Sequence, residues 1–85
     1  MSASEPVRVR LFSVLKERTG QSEILLDAGD VDSVGAALSA LGRTYPVIAD
    51  YRRWIRPAVN RAYADEDTLL KSGDELALIT PVSGG

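Results

Sequence analysis

Cysteine and histidine are both absent from this chain of 85 residues. Without cysteine, disulfide bonds, thiolate metal sites and thiol nucleophiles are excluded. Without histidine, the chain lacks the most common metal ligand and the usual general base near neutral pH. The sequence also contains no glycine-rich phosphate-binding loop and no Gly-x-Gly-x-x-Gly motif. We therefore expect no bound metal, no bound cofactor and no independent catalytic activity.

The chain carries little excess charge of either sign. Its formal net charge is −2, which gives no overall attraction to nucleic acid or to anionic lipid. Its apolar runs are too short to span a bilayer, and residues 1–6 lack the apolar segment of a signal peptide. We expect a cytoplasmic protein that binds neither nucleic acid nor membrane.

Length and composition suit one small domain. A chain of 85 residues has no room for a second core, and 45% hydrophobic residues allow it to fold without disulfide bonds. We predict a flexible N-terminal extension at residues 1–6, a folded domain at residues 7–80 and an extended C-terminal tail at residues 81–85.

Several short segments have the pattern of β-strands. Val7, Val9 and Leu11 alternate with residues of the other face, which is the period of a strand with one buried side. Further strands are predicted at residues 24–26, 55–60, 63–64 and 75–80. Because Pro57 cannot donate a ladder hydrogen bond, its strand should lie at an edge or carry an irregularity.

The clearest helix begins after Ser33, which is a favourable N-cap. The apolar residues that follow share one stripe at helical spacing: Val34, Ala37, Leu38, Leu41 and Tyr45. Pro46 disfavours helical backbone at the residue before it, so the helix should end there. Single helical turns are predicted at residues 13–18, ended by Gly20, and at residues 67–70.

The order of these elements predicts an α+β domain, in which one main helix packs on one face of a small mixed sheet. Two strands separated by a helix can pair in parallel through a crossover connection. The first and last strands would then lie side by side in the centre of the sheet. The last strand would lead directly into the C-terminal residues.

The chain ends in Pro81-Val82-Ser83-Gly84-Gly85. Two terminal glycines arise by chance in roughly 0.5% of chains of average composition. Because many proteins end in disordered small residues, the glycines alone still favour a disordered end without function. A central strand that leads into them, with a Gly-Asp-Glu turn before it, favours a functional tail instead. Glycine lets the backbone approach another protein closely. Pro81 and Val82 stiffen the start of the tail, where it leaves the domain.

Four stretches and the tail carry a family resemblance. They are Val-Arg-Leu-Phe at residues 9–12 with Leu-Lys-Glu-Arg-Thr-Gly at 15–20, Ala-Val-Asn at 58–60, Leu-Lys-Ser-Gly-Asp-Glu-Leu at 70–76, and residues 81–85. In these the chain resembles the small subunits of molybdopterin synthase (MoaD), which are ubiquitin-like β-grasp sulfur carriers related to ThiS. Members often have two prolines before the valine, and Thr80 here takes the place of the first.

The resemblance implies a carrier that works with two partner proteins. A MoeB-like enzyme would adenylate the carboxylate of Gly85, and sulfur would replace AMP to leave a transient thiocarboxylate. In a heterotetramer with a MoaE-like large subunit, the thiocarboxylate would donate sulfur to cyclic pyranopterin monophosphate, in molybdenum cofactor biosynthesis. Pro81, Val82, Ser83 and Gly84 would thread the tail into each partner.

A candidate docking surface lies on the face of the sheet away from the helix. If the alternating apolar residues of the first strand face the helix, Phe12 points to the opposite face, and Ile79 shares that face by parity. The resemblance adds Tyr63 and places all three residues on the family's apolar partner-binding surface. The alternative is that they are scattered exposed apolar residues, which are normal on protein surfaces.

The residues leave other functions open. One alternative is a sulfur carrier of the same fold that serves thiamine or cysteine synthesis or tRNA thiolation. A second is a ubiquitin-like modifier that is joined through Gly85 to lysines of other proteins. A third is an interaction domain whose C-terminus is inert. The arginines around Trp54 suggest nucleic-acid stacking, and residues 65–67 suggest a metal site. A solvated cluster and a polar turn are the simpler interpretations, and we expect those.

Overall fold

The computed structural model describes residues 5–81 of the chain. In chain order its elements are β1 (Val7–Leu11), α1 (Ser13–Thr19), β2 (Glu23–Leu26), α2 (Val34–Thr44), α3 (Pro46–Tyr51), a 3-10 helix (Arg52–Trp54), β3 (Arg56–Val59), β4 (Ala62–Tyr63) and β5 (Glu75–Ile79).

The strands form one five-stranded mixed sheet in the order β2-β1-β5-β3-β4. β1 and β5 pair in parallel at its centre, and all other neighbouring strands pair antiparallel. α2 lies between β1 and β5 in the sequence, within the crossover that a parallel pair requires. The predicted α+β class and the central pairing of the first and last strands are confirmed.

One face of the sheet packs against the helices. Val9 of β1 lies beside Leu76 of β5, and Leu11 lies beside Leu78; all four side chains are buried. The predicted stripe of α2 covers them with four buried residues: Val34, Ala37, Leu38 and Leu41. Because side chains alternate along a strand, this core leaves the intervening residues of β1 and β5 on the opposite face.

α2 begins and ends where the sequence predicts. The Ser33 hydroxyl accepts a hydrogen bond from the Ala36 N–H at 3.1 Å, as an N-cap does. The helix ends at Thr44, and Tyr45 follows in extended conformation. Pro46 then begins α3, which the sequence analysis missed, because proline both ends one helix and suits the first turn of another.

α3 packs closely on α2 because Gly42 has no side chain. A Cβ atom built at Gly42 would lie 3.1 Å from the Cβ atom of Ala49. This approach helps to bring Ile48 of α3 into the core, where it is fully buried. The helical layer therefore contains α3 in addition to the predicted main helix.

The prediction of a helical turn at residues 67–70 is wrong. The carbonyl oxygens of Thr68 and Glu66 accept hydrogen bonds from the N–H groups of Val34 and Gly35, each at 2.9 Å. The first N–H groups of a helix have no partner within the helix. This segment therefore runs past the start of α2 as irregular chain and satisfies two of them.

Pro57 lies in an interior strand, since β3 pairs with both β5 and β4. Its carbonyl oxygen accepts a hydrogen bond from the Ala64 N–H at 3.0 Å, so the missing N–H of Pro57 also points to the β4 side. β4 contains only Ala62 and Tyr63 and ends before that position. The expected irregularity is thus the shortness of the neighbouring strand, and β3 is not an edge.

Left-handed glycines close two of the predicted turns. Gly20 ends α1 with φ 73°, and its N–H donates to the Lys16 carbonyl oxygen, as predicted. Gly73 has φ 84° and donates its N–H to the Glu5 carbonyl oxygen at 3.2 Å.

Residues 1–4 and 82–85 lie outside the described residues, so the domain boundaries stay predictions. In the described part of the chain, no helix is long and apolar enough to cross a membrane.

Candidate partner-binding site

A shallow groove of 330 Å³ lies on the face of the sheet opposite the core. We call it the sheet groove; its lining includes Phe12, Ala58, Arg61, Tyr63, Ala77 and Ile79. The structure thus brings together the three residues that were proposed as a docking surface, on the face that parity predicted for Phe12 and Ile79. Their role in binding a partner stays a prediction.

Small residues form the floor of the sheet groove and larger ones form its walls. Ala58 of β3 and Ala77 of β5 are opposite each other in the register. Tyr63 pairs with Ala58 from the other side and leaves 78% of its surface exposed. The two alanines leave a hollow between larger apolar side chains, which is suited to receive an apolar side chain of another protein.

Phe12 forms another wall because the chain stays extended for one residue after β1. It precedes α1 with φ −135° and ψ 159°, and its carbonyl oxygen accepts the Leu15 N–H at 3.1 Å. The Arg10 guanidinium lies 6.0 Å from the centre of the Phe12 ring and pairs with Glu75 at 3.3 Å. These contacts hold the ring at the groove while 39% of the residue remains exposed.

The turn that presents Tyr63 is strained. Asn60 and Arg61 have φ values of 51° and 73°, in the left-handed region that a two-residue hairpin turn requires. Asparagine tolerates this region well, whereas arginine does so at a cost of about 1 kcal/mol. The Arg61 side chain lines the sheet groove, so the strained turn also places a cation at its edge.

A hydrogen-bond network joins this hairpin turn to the turn before β5. The Asp74 carboxylate accepts hydrogen bonds from the Asn60 side-chain amide at 3.0 Å and from the Lys71 N–H at 2.8 Å. The Asn60 side-chain oxygen accepts the Glu75 N–H at 3.0 Å. The hydrogen bond from Asn60, followed by that from Lys71, lowers the pKa of Asp74. Two loops that border the groove are thereby held together.

Replacing Asp74 by alanine should lower the free energy of unfolding by about 1–2 kcal/mol at neutral pH, because two hydrogen bonds to a charged acceptor are lost. The lowered pKa means that this stabilisation is complete above the ordinary value of 3.8 and disappears as the pH falls through the folded-state value. The difference in free energy of unfolding between wild type and variant should therefore become smaller in acid. Urea denaturation across a pH series measures it, with Asp50→Ala, an exposed position of α3, as the charge-matched control. If the difference in free energy of unfolding stays constant into acid, the stabilisation does not come from the ionised Asp74 carboxylate.

A second groove of 650 Å³ adjoins the first and was not anticipated from the sequence. We call it the tail-root groove; its lining includes Arg53, Arg56, Pro57, Tyr63, Ile79 and Pro81. Tyr63 and Ile79 line both grooves, so the two are continuous. The signal for this groove in the sequence is the run of arginines around Trp54, for which a solvated cluster is the simpler interpretation.

The last strand leads directly to the predicted tail. β5 ends at Ile79, and Pro81, which is exposed, lines the tail-root groove. Val82, Ser83, Gly84 and Gly85 lie outside the described residues, so their predicted roles in threading and sulfur attachment stay predictions. What the structure establishes is that β5 ends at Ile79, which lines both grooves, and that Pro81 lines the tail-root groove.

Two of the three carboxylates at positions 65–67 are used within the fold. The Asp65 carboxylate accepts the Asp67 N–H at 3.0 Å. The Glu66 carboxylate accepts two hydrogen bonds from the Arg52 guanidinium, at 2.9 and 2.8 Å. Arg52, chiefly through these hydrogen bonds, lowers the pKa of Glu66. The first two carboxylates thus serve a turn and an ion pair.

This architecture defines a class of protein: a ubiquitin-like β-grasp domain whose last strand, β5, ends beside an open apolar face. The class is confirmed by the solution structure of small archaeal modifier protein 1 (SAMP1) from Methanosarcina acetivorans, which superposes with a TM-score of 0.80. That protein is 27% identical in sequence, and the match covers 99% of this chain and 100% of the other.

The chain belongs to the ThiS family, whose model matches residues 9–85. The molybdopterin synthase sulfur carrier subunit of Dictyostelium discoideum is 35% identical over 85 residues, which cover 96% of this chain and 99% of that protein. The complex of subunits 1 and 2 of the molybdopterin-converting factor from Helicobacter pylori contains a similar chain, with a TM-score of 0.68 and 25% identity. That match covers 94% of this chain and 99% of the other. The family resemblance predicted from the sequence is confirmed.

Proposed function

We propose that this protein is a sulfur carrier and the small subunit of a molybdopterin synthase. It would act in the cytoplasm, without catalytic activity of its own and without a bound cofactor. The proposal is supported by the family match, which extends through Gly85, and by the function named for the Dictyostelium relative. The single observation that carries it is the position of β5, which ends beside the sheet groove two residues before the predicted tail.

The proposed chemistry begins at the carboxylate of Gly85. A carboxylate is a poor electrophile, so a MoeB-like partner joins it to the α-phosphate of ATP and releases pyrophosphate. A sulfide nucleophile then attacks the carbonyl carbon; the new C–S bond replaces the C–O bond to AMP, and loss of a proton leaves the thiocarboxylate. The thiocarboxylate is a nucleophile at neutral pH, so the carrier needs no cysteine to hold the sulfur.

Sulfur transfer then takes place on a second partner. A large subunit of the MoaE type would bind cyclic pyranopterin monophosphate and receive the tail, within a heterotetramer. The Helicobacter pylori complex of subunits 1 and 2 supports the existence of such a protein partner. The sheet groove is the candidate contact surface, because a tail of five residues alone offers less area than the roughly 1,200–2,000 Å² of a typical stable interface.

Intact mass spectrometry tests the proposal. The protein is incubated with its cognate adenylating enzyme, ATP and a sulfur donor, and we expect one oxygen atom to be replaced by sulfur in the free chain. Addition of the cognate large subunit and the cyclic pterin should then restore the original mass and form molybdopterin. An unchanged mass in the first step would contradict a carrier function. Sulfur that is acquired but never passed to the pterin would point to thiamine, cysteine or tRNA thiolation.

A ubiquitin-like modifier is the second candidate function, and the similarity to the archaeal modifier protein favours it. In that case the activated carboxylate of Gly85 would form an isopeptide bond with a lysine amine of another protein. The same incubation, supplemented with cell extract, separates the two functions. A carrier yields the free chain with sulfur, whereas a modifier yields adducts of higher mass.

A further inference from the structure

The tail-root groove carries a local charge that differs in sign from that of the whole chain. Three arginines and two carboxylates line it, at positions 52, 53, 56, 65 and 66, whereas the formal net charge of the chain is −2. The arginines approach the groove from the 3-10 helix and from the start of β3. The carboxylates lie on the segment that follows β4.

The fold itself neutralises one of the three arginines. The Arg52 guanidinium binds both oxygens of Glu66 and also donates to the hydroxyl of Ser39 at 3.0 Å and to the Gly35 carbonyl oxygen at 3.3 Å. Its hydrogen bond with Glu66 is the main cause of its raised pKa. Arg52 is therefore a structural tie between α2 and the segment after β4.

Within the described part of the chain, the other two arginines are not tied to a carboxylate in this way. Within residues 5–81, neither Arg53 nor Arg56 lies within 4.0 Å of a carboxylate oxygen. Both are exposed. The guanidinium of Arg53 lies 5.4 Å from the ring centre of Trp54, which restricts its motion. Arg56 is opposite Ile79 in the register, close to where the tail begins.

We propose that Arg53 and Arg56 bind an acidic segment of the adenylating partner, placed at the entrance through which that partner takes up the tail. This inference rests on the proposed function as a carrier. Guanidinium groups bind carboxylates through paired hydrogen bonds, and the groove is continuous with the sheet groove through Tyr63 and Ile79. One partner can therefore cover the apolar face and reach both cations.

An acidic protein segment fits this groove better than a nucleic acid does. A nucleic acid presents a continuous row of phosphates, and Arg53 and Arg56 are too few cations to neutralise such a row. A short run of aspartate or glutamate needs only two cations. Charges at the rim of an interface mainly accelerate association and make it dependent on salt.

The test is the rate of association with the cognate adenylating enzyme, measured by stopped flow at several salt concentrations. Reversal of both charges, in Arg53→Glu/Arg56→Glu, should lower the association rate constant about tenfold at low salt. The neutral variant Arg53→Gln/Arg56→Gln should give an intermediate rate. The differences should vanish at high salt, where exposed charges are screened.

The double variant Arg18→Glu/Arg43→Glu serves as the control of charge, because both arginines are exposed and line neither groove. It should associate at close to the wild-type rate, and thermal unfolding should show that all variants fold. Equal rates for the double reversal and the wild type would overturn the inference, as would a loss that high salt does not remove. Binding of a single-stranded RNA oligonucleotide that is lost in the double reversal would assign the groove to nucleic acid and also overturn it. If the wild-type chain itself is not adenylated, the proposed function fails and this inference fails with it.

Discussion

A variant with one alanine added after Gly85 should acquire no sulfur, although its free energy of unfolding should equal that of the wild type. The reactive atom of the proposed mechanism is the carbonyl carbon of the terminal carboxylate. An added residue converts that carboxylate into an amide, and no adenylate can then form at Gly85. The new carboxylate would lie one residue farther along, which is about 3.5 Å beyond the reacting position. A displacement of about 1 Å can already cost a hundredfold in rate.

Intact mass after incubation with the adenylating enzyme, ATP and a sulfur donor measures this effect. Deletion of Gly85 should have the same result, since it withdraws the carboxylate by one residue. An alanine added before Met1 is the matched control, because it lengthens the chain equally and leaves the C-terminal carboxylate unchanged. Sulfur uptake at the wild-type rate by the C-terminally extended chain would show that the terminal carboxylate is not the site of attachment.

The second large effect is expected on docking. Tyr63→Asp or Ile79→Asp should weaken binding to both partners by at least tenfold, roughly 1.4 kcal/mol or more. Each change would place a carboxylate without a partner in an apolar contact, and desolvation of such a group is costly. The same residues line the sheet groove in the free protein, where water still reaches them. Because one tail must visit both partners, the same surface should guide it each time.

Isothermal titration calorimetry measures binding, and differential scanning calorimetry shows whether each variant folds. Phe12→Asp should behave similarly, although its smaller exposure of 39% implies a larger cost to folding. Leu69→Asp is the matched control, since Leu69 is 69% exposed and lines neither groove. Normal binding of both partners by folded Tyr63→Asp and Ile79→Asp would place the docking surface elsewhere.

Local patterns in the sequence were sufficient to predict those elements in which apolar residues recur with the period of one strand or one helix. The alternation from Val7 to Leu11 predicted both β1 and the face that it buries, and the stripe after Ser33 predicted α2. Parity alone then placed Phe12 and Ile79 on the open face. These predictions succeeded because burial of one face is the main free-energy term for each of these elements.

Local patterns failed where an element depends on a distant partner. α3 has six residues and no side-chain cap, so little in its own sequence distinguishes it from a loop; its packing against Gly42 and the burial of Ile48 stabilise it. Residues 67–70 contain helix-forming residues, yet their segment is used to satisfy the first N–H groups of α2. In both cases tertiary contacts outweigh a weak local preference.

The sequence by itself limited the chemistry that we propose for this protein. The absence of cysteine and histidine excludes the usual nucleophile and base, and the terminal diglycine makes the carboxylate of Gly85 the candidate reactive group. Only the tertiary structure decided which charges beside the tail are available to a partner. Arg52 and Arg53 are neighbours in the sequence and cannot be distinguished there. The return of the chain after β4 brings Glu66 to Arg52 and leaves Arg53 unpaired within the described residues, because pairing of charges depends on distance in space, which the fold sets.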